Sequence, residues 1–260
     1  MLRSRLIILG GCLALIGGNS SAQDADAKVT VQRKLCNTLA KSRYVTDKID
    51  SDVAKLPSMT LSDIKHNNAL IYCRISFRNF PDDPMIMHHL GRAELAELNT
   101  ERGLVLVNES AQLNYVPAMI DLAILYAQGR GMGRDYDKAA AWFKKAAQTG
   151  HPQAMIYTGL SYIKGLGVDK DYKAAFEWFT KAYEGSNYPE ASYQLGIMYE
   201  EGLGREIDSI KAVDFYQQAA EGGVQAALYK LYIFYKYGIF VQKDKKMAEY
   251  YQRLYENSEK

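Results

Sequence analysis

The sequence repeats itself every 36 or 37 residues, and this periodicity limits the possible folds more than any other feature does. Four alanines open similar segments, at Ala118, Ala154, Ala191 and Ala227. The eighth residue after each alanine is a tyrosine, at Tyr126, Tyr162, Tyr199 and Tyr235. The eleventh is a glycine, at Gly129, Gly165, Gly202 and Gly238. A segment of this length that recurs in tandem predicts a stacked array of small units rather than one globular core.

The second half of each unit is equally regular. A second glycine follows at Gly131, Gly167 and Gly204, and Phe240 takes its place in the last copy. An aspartate comes next, at Asp135, Asp171, Asp208 and Asp244. Later in the unit an aromatic residue recurs, at Trp142, Trp178, Phe215 and Tyr251. The glycines are expected to end a first helix and form a tight turn, and the aspartate to cap a second helix. Each unit is therefore predicted to be a helix–turn–helix.

This pattern resembles the Sel1-like repeat family, a relative of the tetratricopeptide repeat. Residues 154–168 (AMIYTGLSYIKGLGV) and 173–182 (KAAFEWFTKA) carry most of the family signature. The resemblance covers residues 118 to about 256. It implies an all-α, right-handed α/α superhelical solenoid and a role in protein–protein interaction. The last copy departs from the pattern at Phe240 and at Tyr255, where an alanine is usual, and we interpret it as a C-terminal cap.

The domain organisation follows from the extent of the pattern. Residues 82–117 are predicted to form a degenerate unit between a plain tetratricopeptide repeat and a Sel1 repeat, because the long glycine turn is missing there. Residues 23–81 are predicted to form an N-terminal helical cap. The predicted Sel1 units are residues 118–153, 154–190, 191–226 and 227–260, the last of which doubles as the C-terminal cap.

The first 22 residues have the features of a secretory signal peptide. Arg3 and Arg5 precede an apolar run, residues 6–16, which is too short to span a bilayer. Small and polar residues follow, and cleavage is predicted between Ala22 and Gln23. The mature chain is therefore expected to be periplasmic or secreted. A lipoprotein-like box ending at Cys12 and an uncleaved membrane anchor are the alternatives.

Charge argues against a nucleic-acid partner. Without the two signal-peptide arginines the chain has 30 basic and 30 acidic residues, which leaves no electrostatic footprint for a phosphate backbone. No later segment is long and apolar enough to cross a bilayer, so no membrane insertion is expected after cleavage.

Two cysteines, Cys36 and Cys73, remain in the predicted mature chain. An even number of cysteines in an oxidising compartment predicts a disulfide that joins two N-terminal helices. The alternative is a redox pair or a catalytic thiol.

The sequence contains no recognisable catalytic, metal or cofactor motif. Of the four histidines, His88 and His89 are adjacent and would point about 100° apart on a helix, which does not suit a shared metal ion. The run Gly129–Gly133 looks like a phosphate loop, but the repeat alignment explains it as the turn of the first unit. We therefore predict a protein with no enzymatic activity, no cofactor and no metal. A hydrolase or thiol redox enzyme is the competing class.

The candidate functional surface is an apolar stripe along the first helices. By analogy with tetratricopeptide arrays, the second and sixth residues after each opening alanine face the concave groove. The second-position residues are Ile120, Ile156, Tyr193 and Tyr229. The sixth-position residues are Ile124, Leu160, Ile197 and Ile233. Such a stripe would bind a peptide or protein segment, in envelope signalling or complex assembly, or as an exported virulence-type factor that binds host proteins. The alternative is that these residues pack neighbouring first helices together, which periodicity alone does not distinguish.

Overall fold

The computed structural model describes Lys34, Cys36 and residues 68–258. The predicted signal peptide and most of the predicted N-terminal cap lie outside this part. In the described part all regular secondary structure is helical, which confirms the predicted fold class. The helices are α1 Asn68–Asn79, α2 Pro84–Ala96, α3 Thr100–Gln112, α4 Val116–Gln128, α5 Tyr136–Ala147, α6 Pro152–Lys164, α7 Tyr172–Ser186, α8 Pro189–Glu201, α9 Ser209–Glu221, α10 Gln225–Tyr237 and α11 Lys245–Ser258.

The helices pack in chain order as a solenoid of hairpins. Five pairs form the units, namely α2 with α3, α4 with α5, α6 with α7, α8 with α9, and α10 with α11. The second helix of each unit then packs against the first helix of the next unit. The opening alanines Ala118, Ala154, Ala191 and Ala227 are fully buried, so the helices approach closely at these points.

Both helix signals read from the repeat occur in the structure. The first helices of the four units end at glycines in the left-handed conformation, with φ between 64° and 74°. The second helices begin at the aspartates that recur in each unit. Their carboxylates accept hydrogen bonds from backbone N–H groups of the first turn. These bonds satisfy donors that the start of a helix otherwise leaves without partners.

The second glycine of each turn has a role that the sequence did not reveal. Gly167 has φ of 73°, and a Cβ added there would overlap the backbone carbonyl of Tyr136. At Gly204 an added Cβ would lie 2.7 Å from the carbonyl carbon of Tyr172. Tyr136 and Tyr172 are the first residues of the preceding units' second helices. In these two units the second glycine therefore permits backbone contact with the preceding unit as well as a turn within its own unit. Phe240, its counterpart in the last unit, also adopts a positive φ, of 61°.

Arg205 fills a position that is apolar in the other units. The turns of the other three units carry Met132, Val168 and Val241 there. The Arg205 guanidinium lies 3.6 Å from the ring centre of Tyr199 and 4.1 Å from that of Phe176. Its planar cation thus replaces an apolar side chain by stacking between two aromatic rings.

The outer side of α11 is polar. Counted from the capping aspartate, positions five, eight and twelve in the preceding unit are Val213, Tyr216 and Ala220, all buried or half-buried. Their counterparts in α11 are exposed polar residues, namely Glu249, Gln252 and Glu256. Polar residues on this surface of α11 suit contact with solvent, whereas the corresponding surface of α9 packs against the next unit.

Candidate interaction surface

One side of every first helix is open to solvent, and its residues follow the helical period. Counted from the opening alanine, the residues at positions −1, 3, 6 and 10 are half-buried or exposed in all four units. Their spacing of four, three and four residues places them on one face of a helix. We name this surface, together with the residues at positions two and nine that border it, the first-helix face. Its central residues are Asp121, Tyr157, Gln194 and Lys230 at position three and Ile124, Leu160, Ile197 and Ile233 at position six.

The second-position residues of the predicted stripe change character along the array. Ile120 and Ile156 are 4% and 7% exposed, so both belong to the core between units. Tyr193 is half-buried and packs its ring 5.7 Å from that of Tyr216. Tyr229 is 48% exposed. The two alternatives for this position are thus both realised, core in the first two units and surface in the last.

The sixth-position residues are all half-buried. Ile124, Leu160 and Ile197 each pack against the apolar core of their own part of the array. Ile233 lies outside the apolar clusters of the described residues, as Tyr229 does. The exposed apolar end of the predicted stripe is therefore in α10, where Tyr229 and Ile233 are four residues apart on one face.

The third-position residues were not predicted, although they share a helix face with the sixth. Asp121 binds His88 Nε2 at 2.8 Å and lies 3.6 Å from Arg92 Nε, so its charge is compensated by the preceding unit. Lys230 Nζ lies 2.9 Å from both carboxylate oxygens of Glu200. Each of them lies three residues before a sixth-position residue, and a helix places residues three apart on one face, as it does residues four apart. This spacing is the signal that could have identified them.

Glu200 is part of a network between three helices. Its carboxylate also accepts a hydrogen bond from the Tyr216 hydroxyl, and Tyr216 is fully buried. Burial raises the pKa of the Tyr216 phenol, and the bond to the negatively charged Glu200 raises it further. Glu200 therefore joins α8, α9 and α10.

At the N-terminal end of the described helices, a shallow hollow is lined by charged residues that pair with one another. Glu94 is fully buried and receives two hydrogen bonds of 3.0 Å from Arg74 and one of 2.8 Å from Asn99. Arg102 Nε lies 3.4 Å from the same carboxylate. Burial raises the pKa of Glu94, but these hydrogen bonds and the two positive charges outweigh burial, so its pKa lies below the ordinary value.

Because Glu94 is buried and paired, we expect its contribution to the free energy of unfolding to depend on pH. Because the folded-state pKa of Glu94 is lowered, its contribution to stability is present above the unfolded pKa and is lost as the pH falls through the folded value. Glu94→Gln should therefore reduce the free energy of urea unfolding at neutral pH, and its difference from the wild type should shrink as the pH falls below about 4.5. The exposed Glu109→Gln in α3 is the control. A difference that does not change with pH would contradict the assignment.

The two cysteines of the predicted disulfide are joined in the structure. Cys36 and Cys73 are fully buried, with their Cα atoms 4.8 Å apart. They form an apolar cluster with Leu90 of α2 and Leu106 of α3, so the disulfide joins Cys36 to α1 and packs on the first hairpin. A disulfide is compatible with an exported protein.

The histidines do not assemble a metal centre in the described part of the chain, where no group of three or more ligating side chains suits a metal ion. His88 and His89 are both buried. His151 is half-buried at the N-cap position of α6, and burial lowers its pKa. Among the described helices, none has both the length and the apolar character needed to cross a membrane.

A profile of the Sel1 repeat matches residues 116–151, 152–187, 189–224 and 225–253, which together make up more than half of the chain. The chain belongs to the Sel1 repeat family. Sel1 repeats are typically non-catalytic interaction modules, and this fold indicates an adaptor with protein partners. No curated protein matches the chain.

Solved structures of Sel1 repeat proteins share the fold. A Sel1 repeat protein from Oxalobacter formigenes is 25% identical, with a TM-score of 0.66, over 74% of this chain and 79% of the other. A protective antigen of uropathogenic Escherichia coli that displays an SLR fold is 22% identical, with a TM-score of 0.66. That match covers 92% of this chain but about half of the antigen (49%). An immunity protein from Pseudomonas aeruginosa is 19% identical over 85% of both chains, with a TM-score of 0.52.

Proposed function

We propose that this Sel1 repeat chain is an exported, non-catalytic adaptor that binds a peptide or protein segment on the first-helix face. The observation that carries the proposal is the pair of exposed Tyr229 and half-buried Ile233, which ends a line of half-buried aliphatic residues, Ile124, Leu160 and Ile197. A partner that packs on this line would bury apolar surface contributed by four successive units.

Export is supported by two independent features. The first 22 residues combine a basic start, an apolar run and small residues before Gln23, as signal peptides do. The disulfide between Cys36 and Cys73 is of a kind that persists in oxidising compartments. In the envelope or outside the cell, an adaptor of this kind would serve signalling or the assembly of a complex.

Charge pairing and burial both favour the C-terminal half of the face as the binding region. In the first unit, Asp121 is already compensated by His88 and Arg92. At the second position, Ile120 and Ile156 are covered by neighbouring helices. The exposed apolar side chains of the face are thus concentrated in the last unit.

We expect Tyr229→Ala/Ile233→Ser to abolish capture of the partner that binds this face, because the double substitution removes both apolar side chains. The measurement is quantitative mass spectrometry of proteins crosslinked to the mature chain in native envelopes. Tyr250→Ala/Leu254→Ser is a matched control, since these residues of α11 are also four apart and are 46% and 37% exposed.

Thermal unfolding of both double variants establishes that each retains the fold. A partner lost from the Tyr229/Ile233 variant and kept by the Tyr250/Leu254 variant supports the proposal. Identical sets of captured proteins for the wild type and both variants would refute it.

A further inference from the structure

The charge of the first-helix face changes sign between its last two units. Helix α8 carries three acidic residues, Glu190, Glu200 and Glu201, and no basic one. Helix α10 carries two lysines, Lys230 and Lys236, and no acidic residue. Because Lys230 is paired with Glu200, the positive charge that remains available on α10 is that of Lys236.

Aromatic rings hold Lys236 in place. Its Nζ donates a hydrogen bond of 2.6 Å to the Tyr232 hydroxyl and lies 4.9 Å and 5.4 Å from the ring centres of Tyr232 and Tyr237. Among the described residues, no carboxylate lies within 4.0 Å of this ammonium group. The bond to Tyr232 raises the pKa of Lys236, so the side chain stays charged at neutral pH. An exposed cation that is oriented but not neutralised remains able to bind an anion.

Apolar side chains surround this cation on the same face. Tyr229, Ile233 and Lys236 are spaced by four and three residues, which places them in one helical stripe, and Tyr237 borders it. Tyr229 and Tyr237 are 48% and 61% exposed. We name these four residues the α10 patch. Tyrosine rings, which are apolar but carry a polar tip, are enriched among the residues that dominate protein interfaces.

We propose, on the basis of the adaptor function proposed above, that the α10 patch binds an acidic peptide segment that also carries an apolar or aromatic anchor. A carboxylate of the segment accepts a hydrogen bond from Lys236 Nζ, and the anchor packs on Tyr229 and Ile233. The charge of the partner is set by complementarity, since an acidic segment neutralises the cation that the protein itself leaves unpaired.

The neighbouring acidic residues exclude a nucleic acid as the favoured occupant. A phosphate backbone needs a row of cations. The first helix of the preceding unit, α8, instead presents Glu190 and Glu201 as exposed residues of the face. A short segment with one or two carboxylates needs only one cation, which Lys236 supplies.

The test is a selection of random short peptides displayed on phage, performed against the full mature chain with its disulfide intact. We expect the selected peptides to be enriched in Asp or Glu next to an aliphatic or aromatic residue. In fluorescence anisotropy, Lys236→Glu should weaken their binding by about tenfold or more, and added salt should weaken binding to the wild type. Lys144→Glu, an exposed lysine of α5, should leave the affinity unchanged.

The outcomes distinguish this inference from the adaptor proposal. Selected peptides that need Tyr229 and Ile233 but are neutral or basic, or that bind Lys236→Glu as well as the wild type, would overturn the inference and leave the adaptor proposal standing. Failure to select any peptide that depends on Tyr229 and Ile233 would count against both.

Discussion

Gly167→Ala should destabilise the solenoid by about 3 kcal/mol or more. This loss should exceed that of Gly165→Ala in the same turn. Gly167 has φ of 73°, a conformation that costs an alanine about 1–2 kcal/mol. In addition, the new Cβ would overlap the backbone carbonyl of Tyr136 in the preceding unit. Backbone at a helix start cannot move aside as a flexible side chain can, so the two units must separate.

Gly165→Ala is the matched control, two residues earlier in the same turn. Its φ of 64° imposes the same conformational cost, but an added Cβ would have no heavy-atom neighbour closer than 3.6 Å. We expect a loss of about 1–2 kcal/mol from backbone conformation alone. The free energies of urea unfolding of both variants decide the matter. Equal losses would contradict a contact between units at Gly167.

Gly167→Ala should also change the cooperativity of unfolding. In a solenoid, stability is the sum of the stabilities of the units and of the interfaces between neighbours. The affected interface lies between the α4–α5 and α6–α7 hairpins, so the parts on its two sides should unfold less cooperatively than in the wild type. Hydrogen exchange of α4–α5 and α8–α9 amides, measured separately, would detect this change.

The second large effect is expected from the disulfide. Removal of the link between Cys36 and Cys73, 37 residues apart, should destabilise the N-terminal cap by up to about 4 kcal/mol, because the unfolded segment regains the freedom that the closed loop denies it. The amides of α1 should then exchange faster in Cys73→Ala. The amides of α8–α11 should keep their protection, since units contact only their neighbours.

A reductant provides the control for this experiment. It should accelerate exchange of the α1 amides in the wild type to the rate seen in Cys73→Ala, and it should have no further effect on the variant. Protection of α1 that is the same in all samples would show that noncovalent contacts, including the two hydrogen bonds between Arg74 and Glu94, hold this helix to α2 without the disulfide.

The two predictions concern opposite kinds of contact. Gly167 lies inside the array, at an interface with units on both sides. Its substitution should therefore affect unfolding of the units on both sides of this interface. The disulfide acts at the N-terminal end of the described helices, where α1 packs against α2. The proposed binding patch lies in the last unit, where Tyr229 and Lys236 are exposed and Ile233 is half-buried.

The repeat in the sequence determined the fold and the local structure of each unit. Four aligned copies predicted the helix–turn–helix, and glycines and aspartates at fixed spacings predicted where helices end and begin. These features could be predicted because a capping aspartate such as Asp171 bonds to N–H groups two and three residues away, and a glycine such as Gly165 acts through its own φ.

Only the tertiary structure decided which face residues are open, because burial depends on what the neighbouring unit places against them. Ile120 and Tyr229 occupy the same position in their units, yet one is core and the other surface. The role of Gly167 depends on Tyr136, which belongs to the preceding unit. The stacking of Arg205 likewise depends on Phe176 of the preceding unit as well as on Tyr199 of its own. Periodicity specifies which residues share a face of a helix, and packing specifies whether that face is covered.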